Sequence, residues 1–385
     1  MVAGRAITGI NLSPGQPFSA NALGDDSHDD WNTIQTAINA CGLINVPSGI
    51  YRLSQGLIFP NSGGIATTDG VGIIGVGGGV HNQSGYAGTM FKATFTTGDV
   101  IDVPDSVTHA TLRGFAVDRT SQATSGYGVK CGGSTPSDSP TTDGCIIDDV
   151  WSQNSAIGFF LGCVGYNMIS NCRAQLNGGH GFEICGQWQL SKLFAAINGR
   201  AVGGYGFYVH GTTGASGNSL GQYQGLSAFN NSSGGLWLDG SSSPVHNLRL
   251  SDSFFDGPVC IFDDSHSAGP NVYTNVFCEV GTNTMVWILS PQSATFSNVH
   301  LTGTSSGVSL YVGGPDVLFH GGSISGSPSV GAYVDSGTLS LIGTRISSNN
   351  IGVANNLGLV NIVSCRFVGN TTNTSGAINY SAGNY

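Results

Sequence analysis

Charged side chains are scarce in this chain. Only 9% of its 385 residues are Asp, Glu, Lys or Arg, far below the usual share, which argues against long helices with charged outer faces. Cations are scarcer than anions, 12 against 22, and the formal charge of −10 disfavours nucleic acid and anionic membrane as partners. A strongly anionic polymer would also be an awkward substrate. There is no run of about 18 apolar residues, so nothing reads as a membrane-spanning helix. The opening MVAGRAITGINLSPGQPF lacks the continuous apolar core of a signal peptide, so either a leader has been removed or the protein leaves its cell by another route. The nine cysteines include no CxxC pair, which argues against a zinc site. Several fall where an inward apolar residue is expected and read as small buried thiols. No metal or cofactor is expected.

Glycine, by contrast, is abundant. It supplies 61 residues without any Gly-X-Y period, beside 39% apolar residues, which points to an ordered chain with many tight turns. Short β-type segments begin at Gly144, Tyr166, Trp188, Asn218, Val245, Asn271, Ser293, Pro315, Gly337 and Gly358, most of them about 22 residues apart. A second short strand follows in the repeats: GFFL at 158–161, GFEI at 181–184, GFYV at 206–209 and GLWL at 235–238. Asn154, Asn177, Asn198 and Asn231 precede these strands, where Asn tolerates a left-handed turn and can stack into a ladder. The spacing predicts an all-β chain, a right-handed parallel β-helix. About 12 coils at about 4.8 Å each would make a rod roughly 55 to 60 Å long. A helix is predicted over Asp29–Cys41, with Ile34, Ala37, Ile38 and Cys41 on one face and Asp29 or Asp30 at its N-terminus, placed to cover the first coil. The expected organisation is an N-terminal segment over 1–60, the solenoid over 61–370 and a polar tail over 371–385.

The stretch GDDSHDDWNTIQTAINAC followed by INVPSGIYRLSQGLIFP resembles the opening segment of the pectate-lyase-like superfamily, a GDGxTDDxxAIQxAI run followed by a VxxPxGxYxL strand. It departs from that pattern at Asp26-Ser27-His28. The resemblance implies the β-helix fold. Many members are polysaccharide lyases, glycoside hydrolases, epimerases or phage tailspike depolymerases, so it also implies a polysaccharide substrate. The leaderless start, the early helix and the tail NTTNTSGAINYSAGNY resemble the depolymerase part of a tailspike, which implies a homotrimer that is extracellular or virion-associated.

Side chains alternate faces along a strand, so the second strands give an outward column of Phe160, Glu183, Tyr208 and Trp237. A neighbouring column holds His210 and Asp239, with Asp263 or Asp264 one coil later. Aromatic planes and carboxylates on one face suit sugar binding and glycosidic cleavage. The catalytic candidates are Glu183, Asp239, Asp263 and Asp264. Phe160, His180, Tyr208, His210 and Trp237 are the substrate-binding candidates. The same aspartates also suit turns, and the aromatics suit a subunit interface. A lyase would need a cation beside a uronate carboxylate. Lys130, Arg173, Lys192 and Arg200 are few and form no shared column, so hydrolysis ranks first. Polysaccharide lyase and a non-catalytic glycan-binding fibre module are the alternatives. Sedimentation at micromolar concentration is expected to give a species of three chains, and a monomer would remove the tailspike-like assembly.

Overall fold

In a computed structural model the chain is a parallel β-helix. The structure describes residues 22–60, 70–77, 88–105, 107–133, 143–162, 165–211, 218–219 and 221–380. Cys163, the first 21 residues and the end of the polar tail lie outside them, as does the Cys41 side chain.

Each coil contributes strands to three faces. On the first face Asn167–Ser170 pairs with Trp188–Ser191, then Gln222–Gln224. The second carries Arg173–Gln175, Phe194–Ala196 and Ser227–Phe229. The third carries Ile157–Gly162, Phe182–Ile184, Tyr205–His210, Gly234–Asp239 and Ile261–Asp264, the GFFL-type strands of the sequence. Thr372–Ser375 and Asn379–Tyr380 pair in parallel with Ile351–Asn355 and Leu359–Val363, so the stretch expected to be a tail carries strands of the same sheet. Likewise Leu43–Asn45, Gly49–Leu53 and Leu57–Ile58, within the expected N-terminal segment, pair into it.

Between the first and second faces the chain turns on one left-handed residue per coil: Gly114, Asp149, Asn171, Lys192, Gly225, Asp252, Asn275 and Asn298 in succession. Glycine and Asn adopt this conformation most readily. At the outside of this corner Asn298 donates to Asn275, which donates to Asp252, at 2.9 and 3.0 Å. Between the second and third faces runs the expected asparagine ladder. Asn177 Nδ2 donates to Asn198 Oδ1 at 2.9 Å, and Asn198 Nδ2 to Asn231 Oδ1 at 2.8 Å, all three buried. Asn154 stands outside it: it donates to Asp118, and Ser155 sends its N–H to Asn177 instead. The left-handed residues here are the ones before the ladder, Leu176, Ile197 and Asn230. An inward Asn satisfies buried backbone, so the twist falls on its neighbour.

Inward residues stack from coil to coil. Phe159, Phe182 and Phe207 lie with ring centres 4.7 and 5.2 Å apart and planes within 11°. Tyr273, Phe296 and Phe319 repeat the arrangement. Among the described residues seven cysteines are buried beside these columns.

The helix forms over Trp31–Cys41 and packs beside the strands Leu43–Asn45, Gly49–Leu53 and Leu57–Ile58, with Ile34, Ala37 and Ile38 in the core. Asp29 accepts the Trp31 N–H at 3.2 Å. Asp30 instead reaches back to the Leu23 N–H, and burial pushes its carboxyl up to about 6. This helix is too short to cross a membrane.

Ile197 is a β-branched residue at φ 55, with 48% of its surface exposed. Such strain costs on the order of 1 kcal/mol, and little burial offsets it. Ile197→Asn is expected to raise stability by about that amount in denaturant melts.

Candidate active site

The register of the third face fixes one outward column across successive coils: Asp102, Lys130, Phe160, Glu183, Tyr208, Trp237, Phe262, Trp287, Tyr311 and Tyr333. Acids and a lysine therefore stand at one end and an aromatic run at the other. Neighbouring centroids in the run lie 4.8 Å apart for Tyr208 and Trp237 and between 5.5 and 6.0 Å from Trp237 to Tyr333. Beside it opens a cleft of about 460 Å³ walled by Tyr205, Phe262 and Trp287.

At the junction of acids and aromatics, one strand supplies partners to both flanking carboxylates. His210, at the end of Tyr205–His210, places Nε2 3.2 Å from Oε1 of Glu183 on the preceding coil. Tyr208, two residues earlier, donates its hydroxyl to Asp239 Oδ2 on the following coil at 2.8 Å. The Gly211 carbonyl can only accept, so His210 Nδ1 carries a hydrogen toward it. A proton then occupies the contact between Nε2 and Glu183, on either atom. Glu183 retains 13% side-chain exposure and His210 only 5%, so the glutamate meets solvent and the histidine backs it. Burial would raise the Asp239 carboxyl, but the hydrogen bonds from Ser241 and Tyr208, with the nearby His210, outweigh it and hold the group below its ordinary value. Burial raises the Tyr208 phenol, and its bond to Asp239 adds to this. His180 stacks on Tyr208 at 4.6 Å and accepts the Tyr205 N–H at Nδ1. Burial lowers its pKa, so it is a neutral ring with hydrogen on Nε2.

Glu183, Tyr208, His210, Asp239, His180 and Trp237 are thus brought together. Two other candidates are not available to a ligand in the expected way. Asp263 is in register with Leu238 and Ile288 in the inward column and is fully buried. It accepts from Tyr273, Asn271 and the Ser265 N–H, and burial raises its carboxyl. Alternation makes Asp264 the outward residue, in register with Asp239 and bonded to Ser290 and His266. Phe160 lies on the outward column yet is only 1% exposed. Tyr127 packs against it with ring centres 4.9 Å apart, and the Phe160 ring fills the space a Cβ on Gly162 would need. It supports the site from below.

Sequence reasoning missed Phe262, Trp287, Tyr311 and Tyr333. Their signal was present, since the spacing of IFDD recurs as VWI, SLYV and GAYV once the coils are held in register. Lys130 stands in this column apart from Arg173 and Lys192, and it bonds Asp102 at 3.2 Å and Asp99 at 3.8 Å. Among the described residues no group of three His, Cys, Asp or Glu side chains gathers that could hold a metal.

No protein-family model matches the chain, and no curated protein does. Solved structures do. The A-module of the mannuronan C-5 epimerase AlgE6 of Azotobacter vinelandii superposes with a TM-score of 0.55 at 15% identity, over 94% of this chain and 97% of that one. The AlgE4 A-module of the same organism gives 0.52 at 14%, over the same shares. The catalytic domain of a GH87 α-1,3-glucanase in complex with nigerose gives 0.50 at 11%, over 98% of this chain and 68% of that one. At these identities the likeness establishes the shared β-helix fold expected from the opening motif.

The stability that the lowered Asp239 carboxyl contributes is present above the ordinary aspartate pKa and lost as pH falls through the lowered value. Tyr208→Phe removes one bond that lowers it. The Asp239 carboxyl titration, followed by NMR, is expected to move upward in that variant, and the acid-side loss of stability it causes to be smaller and to be complete at a higher pH.

Proposed function

We propose that this protein is a glycoside hydrolase that cleaves a neutral or weakly charged polysaccharide lying across the coils of the third face. The observation that carries this reading is the strand Tyr205–His210, which sits between two outward carboxylates and orders both of them. Asp239, held ionised, is the base that takes a proton from the attacking water. Glu183 is the acid that protonates the departing glycosidic oxygen, supplied from the proton it shares with His210. The two acids stand two coils apart and two residues apart along the strand, roughly 12 Å between backbones, which leaves room for a water between their side chains and favours inversion at the anomeric carbon. His180, Tyr208 and Trp237 carry the sugar at the scissile bond, and Phe262, Trp287 and Tyr311 carry the chain beyond it. Asp264 lies within reach of the same chain and binds it. The folds of the epimerase and glucanase neighbours add support, since both are named for action on a polysaccharide. Work on such a substrate places the protein outside the cell or on a virion.

Elimination from a uronate fits this site less well. It needs a cation beside the sugar carboxylate, and Lys130 is committed to Asp102 and Asp99.

Glu183→Gln and Asp239→Asn are each expected to lower the release of reducing ends from a glycan panel by at least about 100-fold. Trp287→Ala is expected to raise KM for long chains by roughly tenfold while kcat changes little. Undiminished release by Glu183→Gln removes that residue from the mechanism. Products with an unsaturated, ultraviolet-absorbing end would assign the elimination reaction instead.

A further inference from the structure

The second face carries a site of different character. Trp151, Arg173 and Phe194 follow one another in register on three successive coils. The Arg173 guanidinium carbon stands 4.5 Å from the Trp151 ring centre and 5.5 Å from that of Phe194. Stacking between two rings fixes the guanidinium plane and satisfies its face, while its N–H edge still seeks an acceptor. Among the described residues Arg173 has no hydrogen bond and no ion pair, and it is exposed. Lys192, at the corner beside it, is likewise exposed and without an acidic partner. Both line one cleft of about 550 Å³, together with Asp149 and Ser227.

Three other cations are committed to acids: Lys92 bonds Asp26, Arg113 bonds Asp148 and Lys130 bonds Asp102. Two uncommitted cations meeting in one cleft, one of them held rigid by rings, are arranged to receive an oxyanion. The planar N–H edge of the guanidinium matches a carboxylate, whose two oxygens it can engage at once.

We propose that this cleft binds a carboxylated sugar residue, separately from the candidate active site. The carboxylate meets the Arg173 edge and the Lys192 ammonium, and the C–H face of the pyranose rests against Phe194. That the anion is carried on a sugar rests on the polysaccharide reading above, while the anion site itself does not. An occasional acidic unit in an otherwise neutral chain would anchor the polymer here while cleavage proceeds on the third face.

The test is a titration of the full chain with glucuronate, glucose and sulfate in parallel, following the Trp151 indole N–H by NMR, assigned with Trp151→Phe. Glucuronate is expected to shift that signal with a Kd on the order of 1 mM, and glucose is expected to leave it in place. Arg173→Met keeps the stacked aliphatic stem, and Lys192→Asn suits the left-handed backbone at φ 54, so both should fold. Each is expected to weaken glucuronate binding by roughly tenfold. No response to glucuronate, an equal response to glucose, an equal response to sulfate, or undiminished binding by Arg173→Met would overturn the proposal. Loss of glycan cleavage with glucuronate binding intact would instead count against the active-site reading alone.

Discussion

Everything in this molecule depends on the coils stacking in register, backbone to backbone. A parallel ladder tolerates no drift, because a slip of one residue would turn every inward side chain outward. Each coil must therefore bend at the same places, and the left-handed residues mark where. Gly114, Asp149, Asn171, Lys192, Gly225 and Asp252 share little chemistry beyond accepting that bend. The buried asparagines do the complementary work at the next corner, closing the hydrogen bonds that a tight turn inside the core would leave open.

Register is also what creates the candidate site. Glu183, Tyr208, His210 and Asp239 are up to 56 residues apart in sequence, by subtraction of 183 from 239, yet occupy three neighbouring strands. None of them is positioned by a loop. The strand Tyr205–His210 is straight and paired on both sides, so its alternate side chains reach in opposite directions along the rod, His210 to one neighbour and Tyr208 to the other. The donors to Glu183 and Asp239 are therefore part of the sheet. Loop motion leaves them in place.

How much of this could be read beforehand follows from the same fact. The spacing of the repeats carried the fold, because every coil must satisfy the same period, and the opening motif pointed the same way. Alternation carried Glu183, Tyr208 and Trp237 to one column. It could not separate Asp263 from Asp264 until the register of Ile261–Asp264 was known, and the two have opposite fates. Nor could it show that Phe160 is covered, since outward is not the same as exposed: the cover is Tyr127, from the preceding coil. At Asn154 the left-handed turn falls on the expected residue, but at the ladder asparagines Asn177, Asn198 and Asn231 it falls one residue earlier, where a Leu or Ile gives no sign that it will adopt it. The Trp151, Arg173 and Phe194 stack left no trace in the second-strand columns, as it lies on another face.

The aromatic run from Trp237 to Tyr333 is made of rungs, one to a coil, and from Trp287 onward each is supplied by a strand that carries no other duty at the acids. Coils touch only their neighbours, and stability in such an array is close to a sum over adjacent pairs. Removing or duplicating a whole coil downstream of Asp264 would then change the reach of the platform by one rung while leaving the chemistry untouched. Length of grip is thus a digital property here, set by counting, and separable from the reaction it serves.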